Sequence, residues 1–264
     1  MNDLTLRIAG HSDTGRVREH NEDRIAVRPD LGLALLADGM GGHRAGEVAS
    51  GLAVQAVVDE LERALAETPL ASEPDDDGTE AVYLALNAVA HANTLVFQAA
   101  QANPECTGMG TTLVLALFDA GNVTIAHVGD SRAYRLREAR LERLTQDHSM
   151  REEAIRKGMF TRAEAQRNFK KNIITRALGV GPDVETDVQQ YALRAGDVYL
   201  LCSDGLTDVV GDTELQSALR EYTADLEQAV QHLIALANTG GGHDNISVVL
   251  VCYQPAQAAL ASSG

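Results

Sequence analysis

The sequence predicts an α+β fold built on antiparallel sheets, and three observations carry that prediction. The stretch "TTLVLALFDAGNVTIAHVGDSRAYRL" reads as two strands joined by a turn at Asp119–Asn122, with a third strand beyond Asp130. Hairpin neighbours pair antiparallel, which excludes a doubly wound parallel sheet. Two helical patterns, Ala45 to about Glu67 and Glu80 to about Gln101, follow each other with no strand between them. The chain then closes on an apolar strand, "NISVVLVCY".

The amino-terminal region reads as three strands, "LTLRIA", "RIAVR" and "LGLALLAD". Between the two long helices "TPLASEPDDDG" is polar and rich in turn formers, as an exposed linker is. Residues 145–172 are charged and weakly periodic, with short helical turns and a basic "NFKKN", and read as a surface excursion or flap. A strand pair that includes "DVYLLCSD" comes next, then helices from Thr213 and Asp225. No internal repeat is visible, so residues 1–254 are expected to form one domain and 255–264 a flexible tail.

The chain has 264 residues, 45% hydrophobic and 23% charged, enough for one sizeable core. Its formal net charge of −16 argues against nucleic-acid or anionic-membrane partners, which need clustered Lys and Arg. No apolar run approaches the ~18 residues of a membrane span. "MNDLTLRIAG" lacks the basic and apolar regions of a secretory leader. Cys106, Cys202 and Cys252 are odd in number, far apart and free of any CxxC pattern, which suits a reducing compartment. A cytoplasmic monomer is the expectation.

Carboxylates recur where strands end. Asp38 closes "LGLALLAD" before Gly39, Asp204 closes "VYLLCSD" before Gly205, and Asp130 follows Gly129. Asp244 precedes the last strand, and Glu22 and Asp23 precede "RIAV". Each alone is an ordinary turn or cap residue. Together at one rim they repel one another unless they are protonated or share cations. An all-oxygen ligand set without a Cys/His cluster fits Mg²⁺ or Mn²⁺ rather than zinc. The bare backbone at Gly39 leaves its carbonyl able to reach an ion held by Asp38.

The ordered set "VREHNED", "LLADGMGGHRAGE", "TGMGTT", "VGDSRAY", "DHS", "ITRALG", "LLCSDGLTD" and "GGHDNISVV" resembles the metal-dependent PP2C (PPM) serine/threonine phosphatases, the bacterial branch most closely. The resemblance runs from about Asp13 to Val251. It implies a four-layer α-β-β-α sandwich, two central antiparallel sheets flanked by helix pairs, with metals in a cleft at one sheet edge. It also implies roles. Asp38 would bridge two ions, with Asp204 and Asp244 completing the first site and the Gly39 carbonyl serving the second. Asp23 and Glu22 would act through metal-bound waters, and Asp130 with Asp204 would form a third site. Arg18 would bind the substrate phosphate. Residues 145–172 match the flap of bacterial relatives, and the partners implied are phosphorylated proteins, among them a cognate serine/threonine kinase.

Two readings fit His43. It is a general-acid candidate for the leaving alkoxide, but Met40, Gly41 and Gly42 separate it from Asp38-Gly39, so a loop role fits equally. His148 and His243 read as structural. A P-loop is excluded because Glu47 stands where "GGHRAG" would need its lysine. A C-x₅-R cysteine phosphatase is excluded because Thr112, Asp208 and Ala258 stand six residues after the cysteines. The remaining rival is a non-catalytic phosphoprotein-binding pseudophosphatase on the same fold. It should have lost metal acids, and here every motif position is filled.

Overall fold

Strands that are apolar on both faces, such as Leu33–Ala37 and Leu113–Phe118, need a packed layer on each side. The computed structural model, which describes residues 4–42, 44–68, 70, 79–119, 121–169 and 173–255, supplies them. The chain opens with β1 (Leu4–Asp13), β2 (Asp23–Arg28) and β3 (Leu33–Met40), then α1 (Ala45–Glu67) and α2 (Thr79–Ala102). The central run is β4 (Gly110–Thr111), β5 (Leu113–Phe118), β6 (Asn122–Val128), β7 (Arg132–Arg137) and β8 (Arg140–Arg143). After α3 (Met150–Arg156) and α4 (Arg162–Asn168) come β9 (Asp187–Ala192) and β10 (Val198–Cys202). The short α5 (Asp204–Thr207), α6 (Asp212–Glu221), α7 (Leu226–Thr239) and β11 (Ile246–Pro255) complete it.

Two sheets result. One has the order β1-β11-β10-β7-β8, the other β2-β3-β5-β6-β9 with β4 paired to β3, and the ladders are antiparallel. Period-2 alternation sorts each strand between two cores. Leu33, Leu35 and Ala37 face α1 and α2, while Ala34 and Leu36 face the sheet of β10 and β11. Likewise Val198, Leu200 and Cys202 face α6 and α7, while Tyr199 and Leu201 meet the first sheet's partner face. Three apolar cores therefore separate four layers: helix pair, sheet, sheet, helix pair. This is the expected α-β-β-α sandwich. The outer helices lie close because Ala49, Ala53 and Ala56 of α1 share a core with Ala81, Ala85, Ala88 and Ala92 of α2. All three cysteines are free and buried.

Several local features depart from the sequence reading. The strand expected beyond Asp130, β7, leaves the sheet of β5 and β6 and joins the other one. The strands β9 and β10, adjacent in sequence, also belong to different sheets and do not pair with each other. The hairpin β7–β8 was hidden because Glu138 and Ala139 turn it in the left-handed region (φ 50° and 66°) without a glycine. The linker residues 71–78, the tail from 256 and Lys170–Asn172 of the flap lie outside the described residues. Among the described residues no helix is long and apolar enough to cross a membrane.

The two sheets meet through Phe118 and Tyr199, both fully buried, whose rings pack edge to face at 5.4 Å. Phe118→Ala is expected to cost about 3–5 kcal/mol by urea denaturation followed by circular dichroism. A loss under about 1 kcal/mol would contradict a close-packed interface between the sheets.

Candidate active site

The site is assembled from chain segments that leave the sheets at one edge. Antiparallel pairing of β2 and β3 sets Asp23 opposite Asp38. Asp204 begins α5 directly after β10, Asp244 lies just before β11, and Asp130 sits in the crossover from β6 to β7 that links the two sheets. Of the sequence-predicted residues, Arg18, Glu22, Asp38, Gly39, Asp130, Asp204 and Asp244 line one cleft, together with Thr112, Ile174 and Asn245. Asp23 is buried against it, accepting a 2.8 Å hydrogen bond from Ser203 Oγ. His43 lies outside the described residues.

Backbone contacts explain the glycines. A Cβ on Gly39 would come within 2.0 Å of the Gly46 carbonyl oxygen, and one on Gly205 within 2.0 Å of the Asn245 carbonyl oxygen. Glycine at 39 is thus required for close approach of β3 to the start of α1, beyond any freedom it gives its carbonyl. Gly39 N–H also donates to the Glu22 carbonyl at 3.1 Å, which fixes the loop before β2.

Two residues that sequence reasoning passed over hold the acids in place. Thr112 Oγ1 accepts from Asp38 N–H at 3.1 Å and shares a 2.7 Å hydrogen bond with Ser131 Oγ, beside Asp130. Thr112 N–H donates to the Asp38 carbonyl at 2.8 Å. Asn245 Oδ1 accepts from Glu22 N–H at 2.8 Å, and its Nδ2 donates to the carbonyls of Thr14 and His20 at 3.0 and 2.9 Å. It ties the loop bearing Arg18 and Glu22 to the start of β11. Both stand inside the quoted motifs "TGMGTT" and "GGHDNISVV". A small polar residue at the end of a buried apolar strand was the available signal.

The electrostatics are those of crowded, buried carboxylates. Burial first, then repulsion from Asp23, Asp204, Asp130 and Asp244, holds Asp38 well above the ordinary carboxylate range. Asp204 is raised likewise, by burial and then by Asp130 and Asp244. Burial pushes Asp23 up to about 6 against hydrogen bonds from Ser247 and Ser203. Burial, with Asp147 adding repulsion, pushes Asp130 up to about 6. Arg18 answers part of this charge through an ion pair with Asp244 Oδ2 at 2.7 Å.

The acids fit divalent cations. Among the described residues Glu22 Oε1 and Asp23 Oδ1 are buried and have no hydrogen-bond partner, so acceptor capacity is left unused where charge is most crowded. The donors are hard oxygens, the set that Mn²⁺ and Mg²⁺ take. A second group, His127, His148 and Asp187, brings ligand atoms within 4.8 Å of one another. It borders the base of the flap rather than this cleft.

A protein phosphatase 2C family model matches residues 10–238. The chain belongs to the protein phosphatase 2C family. It is a metal-dependent serine/threonine protein phosphatase, acting on phosphoproteins and so reversing kinase phosphorylation. It is 39% identical to the serine/threonine phosphatase stp of Listeria welshimeri over 91% of this chain and 93% of that one. It is 36% identical to the protein phosphatase PhpP of Streptococcus pneumoniae, over 93% and 97%. Its fold matches the crystal structure of PstP/Ppp from Mycobacterium tuberculosis with a TM-score of 0.83, at 36% identity over 95% and 99% of the two chains. A structure of the PstP catalytic domain in complex with two manganese ions matches with a TM-score of 0.81, at 37% identity over 95% and 99%.

The raised carboxylates set a pH dependence with a definite sign. A carboxylate raised in the folded state contributes its stability fully below the unfolded value near 3.8, and the contribution fades as pH rises through about 6. In metal-free protein, Asp130→Asn should therefore become relatively more stabilising between pH 4 and pH 7, by about 3 kcal/mol. Added Mn²⁺ should reduce or reverse that advantage. Thermal midpoints of both proteins across the range check it, and a pH-independent difference would contradict it.

Proposed function

We propose that the cleft hydrolyses phosphoserine and phosphothreonine monoesters in proteins phosphorylated by a cognate serine/threonine kinase, using Mn²⁺ or Mg²⁺. The observation that carries the reading is convergence. Seven of the expected residues, scattered from Arg18 to Asp244, line one cleft, and at or beside it Glu22 Oε1 and Asp23 Oδ1 are buried without partners among the described residues. The two manganese ions in the PstP structure support the choice of metal.

In this reading Asp38, Asp204, Asp244 and the Gly39 carbonyl hold two ions in a core site. Asp23 and Glu22 act on that site through water, and Asp130 with Asp204 takes a third ion. Bound divalent ions supply Lewis-acid polarisation of the phosphoryl group and a nucleophilic water at neutral pH. Hydrolysis forms a bond from water oxygen to phosphorus and breaks the bond to the serine or threonine oxygen, which takes up a proton. His43 is the candidate donor of that proton. The Arg18 guanidinium is half-exposed at the cleft and moves from Asp244 onto the phosphoryl oxygens, where its planar fork suits two of them. Thr112 and Asn245 keep the acids and the Arg18 loop in register while this happens.

Chelation followed by removal of the chelator should abolish hydrolysis of a phosphothreonine peptide, and added Mn²⁺ or Mg²⁺ should restore it. Full turnover in a sample shown to be metal-free by elemental analysis would overturn the mechanism and favour neither ion.

Arg18→Ala should raise KM more than it lowers kcat, because a phosphate clamp acts in ground and transition states alike. The loss expected is one or two charge-assisted hydrogen bonds, about 2–4 kcal/mol in kcat/KM. Steady-state kinetics decide it, and an unchanged KM would return Arg18 to a role as counter-ion of Asp244 alone.

A further inference from the structure

The segment Asp147–Ser149 lies outside the cleft, yet its side chains hold the residues on either side of Asp130. The Asp147 carboxylate takes both arms of the Arg132 guanidinium, at 2.9 and 2.7 Å, two residues after Asp130. His148 binds Gly129, the residue before Asp130, twice. Its ring Nδ1 accepts from Gly129 N–H at 3.1 Å, and its own N–H donates to the Gly129 carbonyl at 2.9 Å. Ser149 caps α3 by accepting from Glu152 N–H at 3.3 Å, and it bridges to Ile174 of the cleft wall.

Gly129 is a position that needs holding. Its φ of +105° lies in the left-handed region, and a Cβ there would meet the Thr112 side chain at 2.6 Å. Its N–H is buried and points at the His148 ring, so losing that acceptor leaves an unpaired buried donor next to Asp130.

The ring's protonation follows from its partners. A neutral imidazole that accepts at Nδ1 carries its proton on Nε2, which lies 3.3 Å from Asp187 Oδ2; Arg176 Nη1 also lies 3.3 Å from Nε2 but donates to Asp187 Oδ1 at the shorter distance of 2.9 Å. Burial lowers the His148 pKa, which keeps the ring neutral. Asp187 is itself held by Arg176 at 2.9 Å, and the His127 ring stacks on His148 at 4.7 Å. An ion among His127, His148 and Asp187 would need the Nε2 lone pair, and in this tautomer the proton occupies it. The opposite tautomer would set two donors against each other at Gly129. The group is built as a brace for one ring orientation.

We propose that His148 is a positioning residue for Asp130: its Nδ1 holds the Gly129 peptide and thereby aims the Asp130 carboxylate into the cleft. This rests on the reading of Asp130 as an ion ligand. The two neighbours of His148 in sequence extend the same brace, Asp147 to the start of β7 and Ser149 to the flap.

Two substitutions of similar polarity separate this role from general packing. In His148→Asn the side-chain oxygen stands where Nδ1 stood and accepts from Gly129 N–H; in His148→Gln the amide is displaced toward the Nε2 end. Mn²⁺ titration calorimetry on the full metal-stripped chain provides the readout, with Asp130→Asn as reference. Asp130→Asn is expected to weaken one class of Mn²⁺ site at least tenfold. His148→Gln should weaken the same class, and His148→Asn should stay within about threefold of wild type. If Asn and Gln behave alike, or if Gln leaves intact the class that Asp130→Asn loses, the positioning role is overturned. If Asp130→Asn leaves the titration unchanged, the ion reading of Asp130 fails and the proposal falls with it. Nitrogen NMR of the wild-type ring gives a check that needs no variant to fold. An unprotonated Nδ1 and a protonated Nε2 on His148 are expected, and a proton on Nδ1 overturns the proposal.

Discussion

The burial at one edge of the sandwich of carboxylates that also repel one another is the constraint around which this protein is built. Each raised pKa unit is worth about 1.4 kcal/mol against the charged form. Asp38, Asp204, Asp23 and Asp130 all stand above their ordinary values, so the cluster opposes folding at neutral pH. The fold withstands it because three apolar cores surround the strands beside the acids, and β3, β6 and β10 are among the most deeply buried parts of the chain. Asp23 and Asp38 are fixed by the β2–β3 ladder, while Asp130, Asp204 and Asp244 stand just beyond strand ends. Cations that bind there recover the repulsion as binding free energy, which is how a destabilising cluster becomes a selective site.

Much of this was legible in the sequence, for identifiable reasons. Unbroken apolar runs such as Leu33–Ala37 and Leu113–Phe118 announce strands covered on both faces, and the helix α1 begins and ends at Ala45 and Glu67 as its pattern predicts. The acids were legible because each breaks an apolar run abruptly. Sheet membership was not. Nothing in the local pattern of "VGDSRAY" says that the chain changes sheets between Val128 and Arg132, since both sheets contain strands, such as β5 and β10, that are apolar on both faces. The β7–β8 turn was hidden because Glu138 and Ala139 adopt left-handed backbone that their side chains do not advertise. Thr112 and Asn245 were hidden for another reason: their work is hydrogen bonding to backbone atoms distant in sequence, and one-dimensional spacing carries no record of it.

That crossover between sheets gives Asp130 a different status from the other acids. Asp38 is a strand residue whose backbone is fixed by β2 and by Thr112, and Asp204 opens a helical turn. Asp130 has no ladder of its own and depends on its neighbours: Ser131 bonded to Thr112, Arg132 to Asp147, and Gly129 to His148. The same "DHS" segment then starts the flap at α3 and meets Ile174 at the cleft wall. A displacement of the flap and a displacement of Asp130 therefore share one stretch of backbone. On the proposed reading of Asp130 as an ion ligand, this contiguity would be the physical link between the flap and that ion.

Arg18 shows how the site manages its charge with few cations of its own. The chain carries 22 Lys and Arg against 38 Asp and Glu, and among the described residues lining the cleft one half-exposed guanidinium stands against Glu22, Asp38 and Asp244. Paired with Asp244 at 2.7 Å, it lowers the repulsion that the acids exert, and a half-exposed pair of this type is worth little in stability. That weakness suits a residue that must change partners. An arginine bound to a fully buried carboxylate would have to leave an uncompensated charge behind, at a cost of several kcal/mol. Here the partner it leaves can be satisfied by a divalent ion, and the phosphoryl group it meets carries more charge than the carboxylate it gave up. On the proposed reading, ion binding to the acids and phosphate binding to Arg18 would be coupled through Asp244, each making the other more favourable.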